Sequence, residues 1–319
     1  GGMGASGFPT IVRKLRRMLD EDGLSTGVKI GGALMLPYFS FPPPGQSDDQ
    51  DVALSEAFLE QTQGALHYYH NTIKNQPNLF DSLYLVGWDP LIRLNYHQKG
   101  GAPQANPPMV PELYGCFAAL DFFSNGTKNG GTIYQIGRED SGSFNWSDFP
   151  KITDDKNDTK NKLGNLLRFA FAYKFIYRQP LDRKIFKQYI QEAWYRRLIE
   201  RHDVDLNNDD VQHGLKLIDD YSNEVLQWSA SLIYSSSQSS GQPTYNLFDP
   251  SHYARYENDQ THIIPRAIPR VRKGFSSLIK GQTSSSLHNV YEGITYSKIN
   301  TEHSGAGAFF GTLYESCAL

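Results

Sequence analysis

The chain has 319 residues, 20% of them charged, and a formal net charge of −3. That length suits two domains or one large α/β domain with a substantial core, and the near-neutral balance argues against a dedicated nucleic-acid binder, which carries a basic excess. Its two cysteines, Cys116 and Cys317, stand far apart and outside any metal-ligand spacing, which argues against a disulfide scaffold or a zinc site and fits a reducing, cytoplasmic compartment.

Gly1–Gly7 (GGMGASG) reads as a phosphate-cradling loop that opens a helix. Phe8–Leu19 follows as that helix, with Pro9 in its first turn and Ile11, Val12, Leu15, Met18 and Leu19 at helical spacing. Val28–Phe39 reads as one buried parallel strand. Asp51–Lys74 is an expected helix, Ser82–Val86 a second buried strand and Pro108–Phe123 a third, very apolar helix. Alternation of helices and parallel strands defines an α/β class, a parallel sheet with flanking helices.

Beyond that point the pattern changes to a helix-rich α+β part. Thr132–Gly137 is an expected strand, and Leu163–Tyr177, Ile185–Arg201 and Val211–Tyr234 are expected helices. Val290–Ile299 is an expected strand before a small-residue tail, Gly305–Gly311. A domain boundary is placed at 125/126, giving 1–125 and 126–319, with a Ser/Gln/Gly-rich mobile linker near 235–243. No apolar run approaches the roughly 20 residues of a membrane span, so no membrane partner is expected.

Gly2, Gly4 and Gly7 satisfy G-x-G-x-x-G. Glycines let the backbone turn tightly and approach phosphates, and the N–H groups of Met3–Gly7, at the positive end of a helix, suit an anion. A structural turn that binds nothing is the alternative. A Walker A loop is excluded, since no Lys-Ser/Thr follows Gly7. A Rossmann-type NAD(P) oxidoreductase predicts an acid at the end of the next strand; Leu36-Pro37-Tyr38-Phe39 has none. Tyr173 is followed directly by Lys174, which is not a Tyr-x-x-x-Lys pair.

With these residues in hand, the chain resembles the tubulin/FtsZ superfamily, in particular bacterial tubulin-like proteins. Gly1–Gly7 is similar to that family's GGGTG[TS]G loop. Leu36-Pro37-Tyr38-Phe39 resembles the end of its next strand, and Phe80–Val86 (FDSLYLV) its "VDSLIxI" strand. Pro107–Phe123 stands where its central helix starts. The resemblance covers about the first 125 residues. It implies a GTP- or GDP-binding protein, with Mg2+, that self-associates or meets a protein partner. It also implies that Gly2, Gly4, Ala5, Ser6 and Gly7 hold the outer phosphates and that Asn106 reads the base. As a residue, Asn106 is equally a helix N-cap before Pro107-Pro108. Since such loops follow a buried strand, the resemblance leads one to expect further chain before Gly1.

The family's hydrolytic acid lies in an N-x-D-x-x-D/E motif after the central helix. Asn145/Asp148 and Asn207–Asp210 do not reproduce it and read as turns, so GTPase activity is left open. A non-catalytic interaction protein that kept the fold is the third reading. His67 and His70, three apart on a helix, lack a third metal ligand. Arg266, Arg270, Arg272, Lys273 and Lys280 form a basic stretch that suits a solvated face.

Overall fold

The computed structural model describes residues 3–41, 55–94, 109–125, 132–139, 142–150, 159–237, 245–249, 275–276, 278–281, 286–296 and 303–318. It divides into two compact units, the first comprising Gly1–Gly142 and the second Ser143–Ser237 with Thr244–Leu319.

The first unit is α/β, a small parallel sheet flanked by helices. Its elements are α1 (Met3–Glu21), β1 (Gly31–Met35), β2 (Phe39–Ser40), α2 (Phe58–Asn75), β3 (Ser82–Asp89), β4 (Ile92–Arg93), α3 (Val110–Asn125) and β5 (Thr132–Glu139). The main sheet has the order β1-β3-β5. Gly31 stands opposite Ser82, and Ser82 opposite Thr132. The third strand therefore comes from beyond residue 125.

The expected strand Val28–Phe39 is shorter, half exposed and at one edge of the sheet. It breaks at Pro37, and its neighbour breaks at Pro90. A proline has no N–H for the ladder. Both chains then resume side by side as β2 and β4, with Phe39 opposite Ile92.

Side-chain alternation divides the cover of the sheet. On the face of Gly31, Tyr84 and Trp88 lies α3. The Tyr84 hydroxyl donates to Asp121 Oδ2 at 2.7 Å, and Tyr114 meets Trp88 edge-on with ring centres 5.6 Å apart. A Cβ on Gly31 would come within 2.9 Å of the Phe122 ring. On the face of Gly32 lies α1. Phe8 stacks on Phe80 at 4.9 Å and meets Tyr69 of α2 edge-on. Val12 and Leu79 close this cluster, with Ile30 and Ile73 against it.

The second unit is built from α4 (Thr159–Ala172), α5 (Ala193–Leu198), α6 (Asp209–Ser237), α7 (Leu287–Tyr296) and α8 (Ala306–Ser316). A π-turn, Tyr173–Tyr177, ends α4. Over residues 290–296 the expected strand Val290–Ile299 is instead part of the helix α7, and 297–299 lie outside the described residues. Its β-branched residues suggest a strand, but Val290 and Ile294 are four apart and both are fully buried, which is a helical face. The small-residue tail is likewise helical, as α8. The expected helix Ile185–Arg201 is interrupted. The Asp182 carboxylate accepts the Lys184 N–H at 2.8 Å, and Glu192 is extended before α5 starts. Residues 235–237 finish α6, whereas 238–243 lie outside the described residues.

Candidate functional site at the strand ends of the first unit

The glycine-rich segment is not a loop from Met3 onward. Met3–Gly7 forms the first turns of α1, and Gly2 lies outside the described residues, as does Asn106. Pro9 therefore sits inside the helix, not in its opening turn. Local preference places the helix start at Phe8, since Pro9 suits a first turn and glycines are poor helix formers.

The direction of α1 follows from two anchors. Near its C-terminal half, Arg16 donates to Asp81 Oδ2 at 2.5 Å and to the Leu79 carbonyl at 3.2 Å, beside the start of β3. Near its N-terminal half, Phe8 lies over Gly32. The helix thus runs back along the sheet. From Phe8 to Met3 it rises about 7.5 Å at 1.5 Å per residue. Along β1, Gly32 to Met35 covers about 10 Å. On these lengths the first turn of α1 comes within about one residue of the C-terminal end of β1.

On the α3 side of the sheet, toward the C-terminal ends of β3 and β5, stand two further pairs of side chains. The Tyr38 hydroxyl donates to Glu112 Oε1 at 3.4 Å, and Glu112 Oε2 accepts the Met109 N–H at 3.2 Å, capping α3. Burial first, then the Glu112 charge, pushes the Tyr38 phenol up to about 12. Arg138, near the end of β5, places its guanidinium 5.7 Å from the centre of the Trp88 ring and donates to the Gly142 carbonyl at 2.9 Å. These residues stand near the ends of different elements, and the register of the β3–β5 pair is what sets Arg138 beside Trp88. No local signal marks Trp88 and Arg138, which meet only by cross-strand pairing.

The remaining sequence candidates are accounted for by local structure. Asn145 and Asp148 cap each other's turn: the Asn145 N–H donates to Asp148 Oδ2 at 2.7 Å. Asn208 Oδ1 accepts the Asp210 N–H at 2.8 Å and so starts α6, while Asp205 holds the Asn207 N–H at 2.9 Å. His67 and His70 are exposed on α2, and among the described residues no group of metal-ligating side chains forms. Arg266, Arg270, Arg272 and Lys273 lie outside the described residues. Also among the described residues, no helix is long and apolar enough to cross a membrane.

Comparisons with protein-family models, with curated proteins and with solved structures found no match to this chain.

Proposed function

We propose that this protein binds a guanine nucleotide in the manner of the tubulin/FtsZ superfamily, with the phosphates at the glycine-rich first turn of α1. The consideration that carries the reading is the direction of α1, which runs antiparallel to β1 so that its first turn approaches the C-terminal end of that strand. Ligands of open α/β sheets bind outside the carboxyl ends of the strands.

The first four N–H groups of an α-helix have no acceptor within the helix. In α1 these belong to Met3, Gly4, Ala5 and Ser6, at the positive end of the helix dipole. Small residues there leave the backbone open to a phosphate oxygen. Gly2, Gly4, Ala5, Ser6 and Gly7 are assigned to the outer phosphates and Asn106 to the base, with Mg2+ accompanying the phosphates. The similarity of Leu36–Phe39 and Asp81–Leu83 to the family's strand motifs supports GTP or GDP over NAD(P). We assign no hydrolytic residue, because the Asn/Asp candidates of the second unit are engaged in caps and turns. Self-association through the aromatic-rich second unit belongs to the same proposal.

Calorimetric titration with GTP, GDP, ATP and NADPH tests it. Binding of GTP or GDP is expected, with affinity reduced at least about tenfold by Gly4→Val, which places a branched side chain against the phosphate path. Heat from NADPH alone would favour the oxidoreductase reading. Silence with both guanine nucleotides would remove the proposal.

A further inference from the structure

The second unit contains a cleft that the nucleotide reading does not use. It measures about 530 Å³ and is lined by Lys174, Phe175, Arg178, Asp182, Ile185 and Asp219. The π-turn Tyr173–Tyr177 shapes its wall. Such turns insert one residue into a helix and recur at functional sites. Here the turn is followed by Arg178, whose N–H donates to the Tyr173 carbonyl at 2.7 Å. Beneath it, the Tyr173 hydroxyl donates to the Leu215 carbonyl at 2.8 Å and ties the turn to α6.

The charges of the cleft are unequally engaged. Lys174 Nζ lies 3.7 Å from Asp219 Oδ1. Asp182 Oδ1 accepts the Lys184 N–H at 2.8 Å. Arg178 differs. Its Nε is sheltered from solvent with no hydrogen-bond acceptor, and among the described residues its guanidinium pairs with no carboxylate or carbonyl. A guanidinium that has lost hydration on one side, with nothing in exchange, gains more from an incoming anion than a fully solvated one does. Its two Nη groups form a planar fork that matches a carboxylate or phosphate. Phe175 and Ile185 offer apolar surface in the same cleft.

We propose that this cleft binds a small organic oxyanion, with its carboxylate or phosphate on the Nη fork of Arg178 and its apolar part against Phe175 and Ile185. Lys174 adds a second positive charge, held back by Asp219. The site is independent of the strand-end site of the first unit.

Titration with benzoate, phenyl phosphate and benzyl alcohol tests the proposal, using the whole chain at low ionic strength. The two anions separate carboxylate from phosphate recognition, and the alcohol controls for apolar contact. Saturable binding of at least one anion is expected, weakened about tenfold or more by Arg178→Gln and less by Arg178→Lys, which keeps the charge without the fork. Asp219→Asn releases Lys174 and is expected to tighten binding about threefold, a change that a merely structural role for Arg178 does not produce. Exposed Arg201→Gln is expected to change nothing. If Arg178→Gln fails to fold by circular dichroism, backbone amide shifts of the unaltered protein decide. Shifts at Phe175 and Ile185 support the site, and shifts only elsewhere overturn it. Absence of saturable anion binding up to about 10 mM, a range that covers even weak millimolar affinities, overturns it. So does equal binding to folded Arg178→Gln.

Discussion

Asp81 closes the end of the sheet away from the proposed phosphate site. In the sequence it is one letter of a strand motif; in the fold it is a clamp. Its Oδ2 accepts the Ile30 N–H at 2.7 Å and an Arg16 N–H at 2.5 Å, and Lys29 Nζ lies 3.4 Å from Oδ1. Burial alone would raise its pKa. The Ile30 N–H, then Arg16 and Lys29, outweigh that and hold it below the ordinary carboxylate value. Its stabilising contribution is therefore complete above the ordinary carboxylate range and is lost as pH falls through the lowered folded value. Asp81→Asn is expected to cost about 1.5–3 kcal/mol in urea unfolding at pH 7, the range for hydrogen bonds to a charged group. The difference from the unaltered protein should shrink in acid titrations followed by circular dichroism.

Gly137 is a second residue whose job appears only in the fold. It stands opposite Gly87 in the β3–β5 pair, and a Cβ there would lie 2.5 Å from the Gly87 carbonyl oxygen. Because the obstacle is backbone, no rotamer change relieves it. Gly137→Ala is expected to destabilise the first unit by about 3 kcal/mol, toward the upper end of overpacking costs, measured as a lower urea midpoint. The sequence marks Gly137 only as the close of a strand, since the partner glycine is fifty residues away.

At the scale of elements, strands and helices of the first unit were legible where periodicity was long and unbroken. The apolar runs of β3 and α3 place them within a few residues. The ends of α1 and β1 were less readable because glycine and proline carry two meanings there. Gly4, Gly7 and Pro9 are turn signals by local preference. Packing of Phe8 on Gly32 and Phe80, with Val12 and Leu79 behind, draws the segment into a helix that those preferences disfavour. Within α1, Pro9 cannot donate to the Ala5 carbonyl, as the i to i−4 pattern would require. Pro9→Ala is expected to stabilise the chain by up to about 3 kcal/mol, the propensity gap for a helix interior. A higher melting temperature, with greater amide protection at Gly7 and Phe8, is the measurement. Lower stability would show that the proline instead restrains the unfolded chain.

For the molecule as a whole, the elements of the proposed strand-end site were only partly legible. The glycine-rich segment and the strand motifs were visible, whereas Tyr38–Glu112 and Trp88–Arg138 depend on which strand neighbours which. The cleft of the second unit was not legible, because a π-turn leaves no mark in residue periodicity. Each unit also carries one free cysteine, and that allows the two to be followed separately. Cys116 in α3 is exposed, so a thiol reagent reaches it in the folded protein. Cys317, just past α8, is fully buried. Burial pushes its thiol up to about 12, with the nearby Arg168 guanidinium opposing only in part, so it reacts only after local or global opening. One thiol per chain is expected to label at pH 8 and two in denaturant. Cys317 directly follows Ser316 of α8, and there α8 packs so closely on α7 that a Cβ on Gly293 would lie 2.6 Å from the Ser316 Cβ. Gly293→Ala should force these helices apart and speed Cys317 labelling, with Cys116 unchanged. Asp81→Asn should leave Cys317 labelling at its original rate if the two units open separately. Equal acceleration of Cys317 by both substitutions would mean that the units open as one.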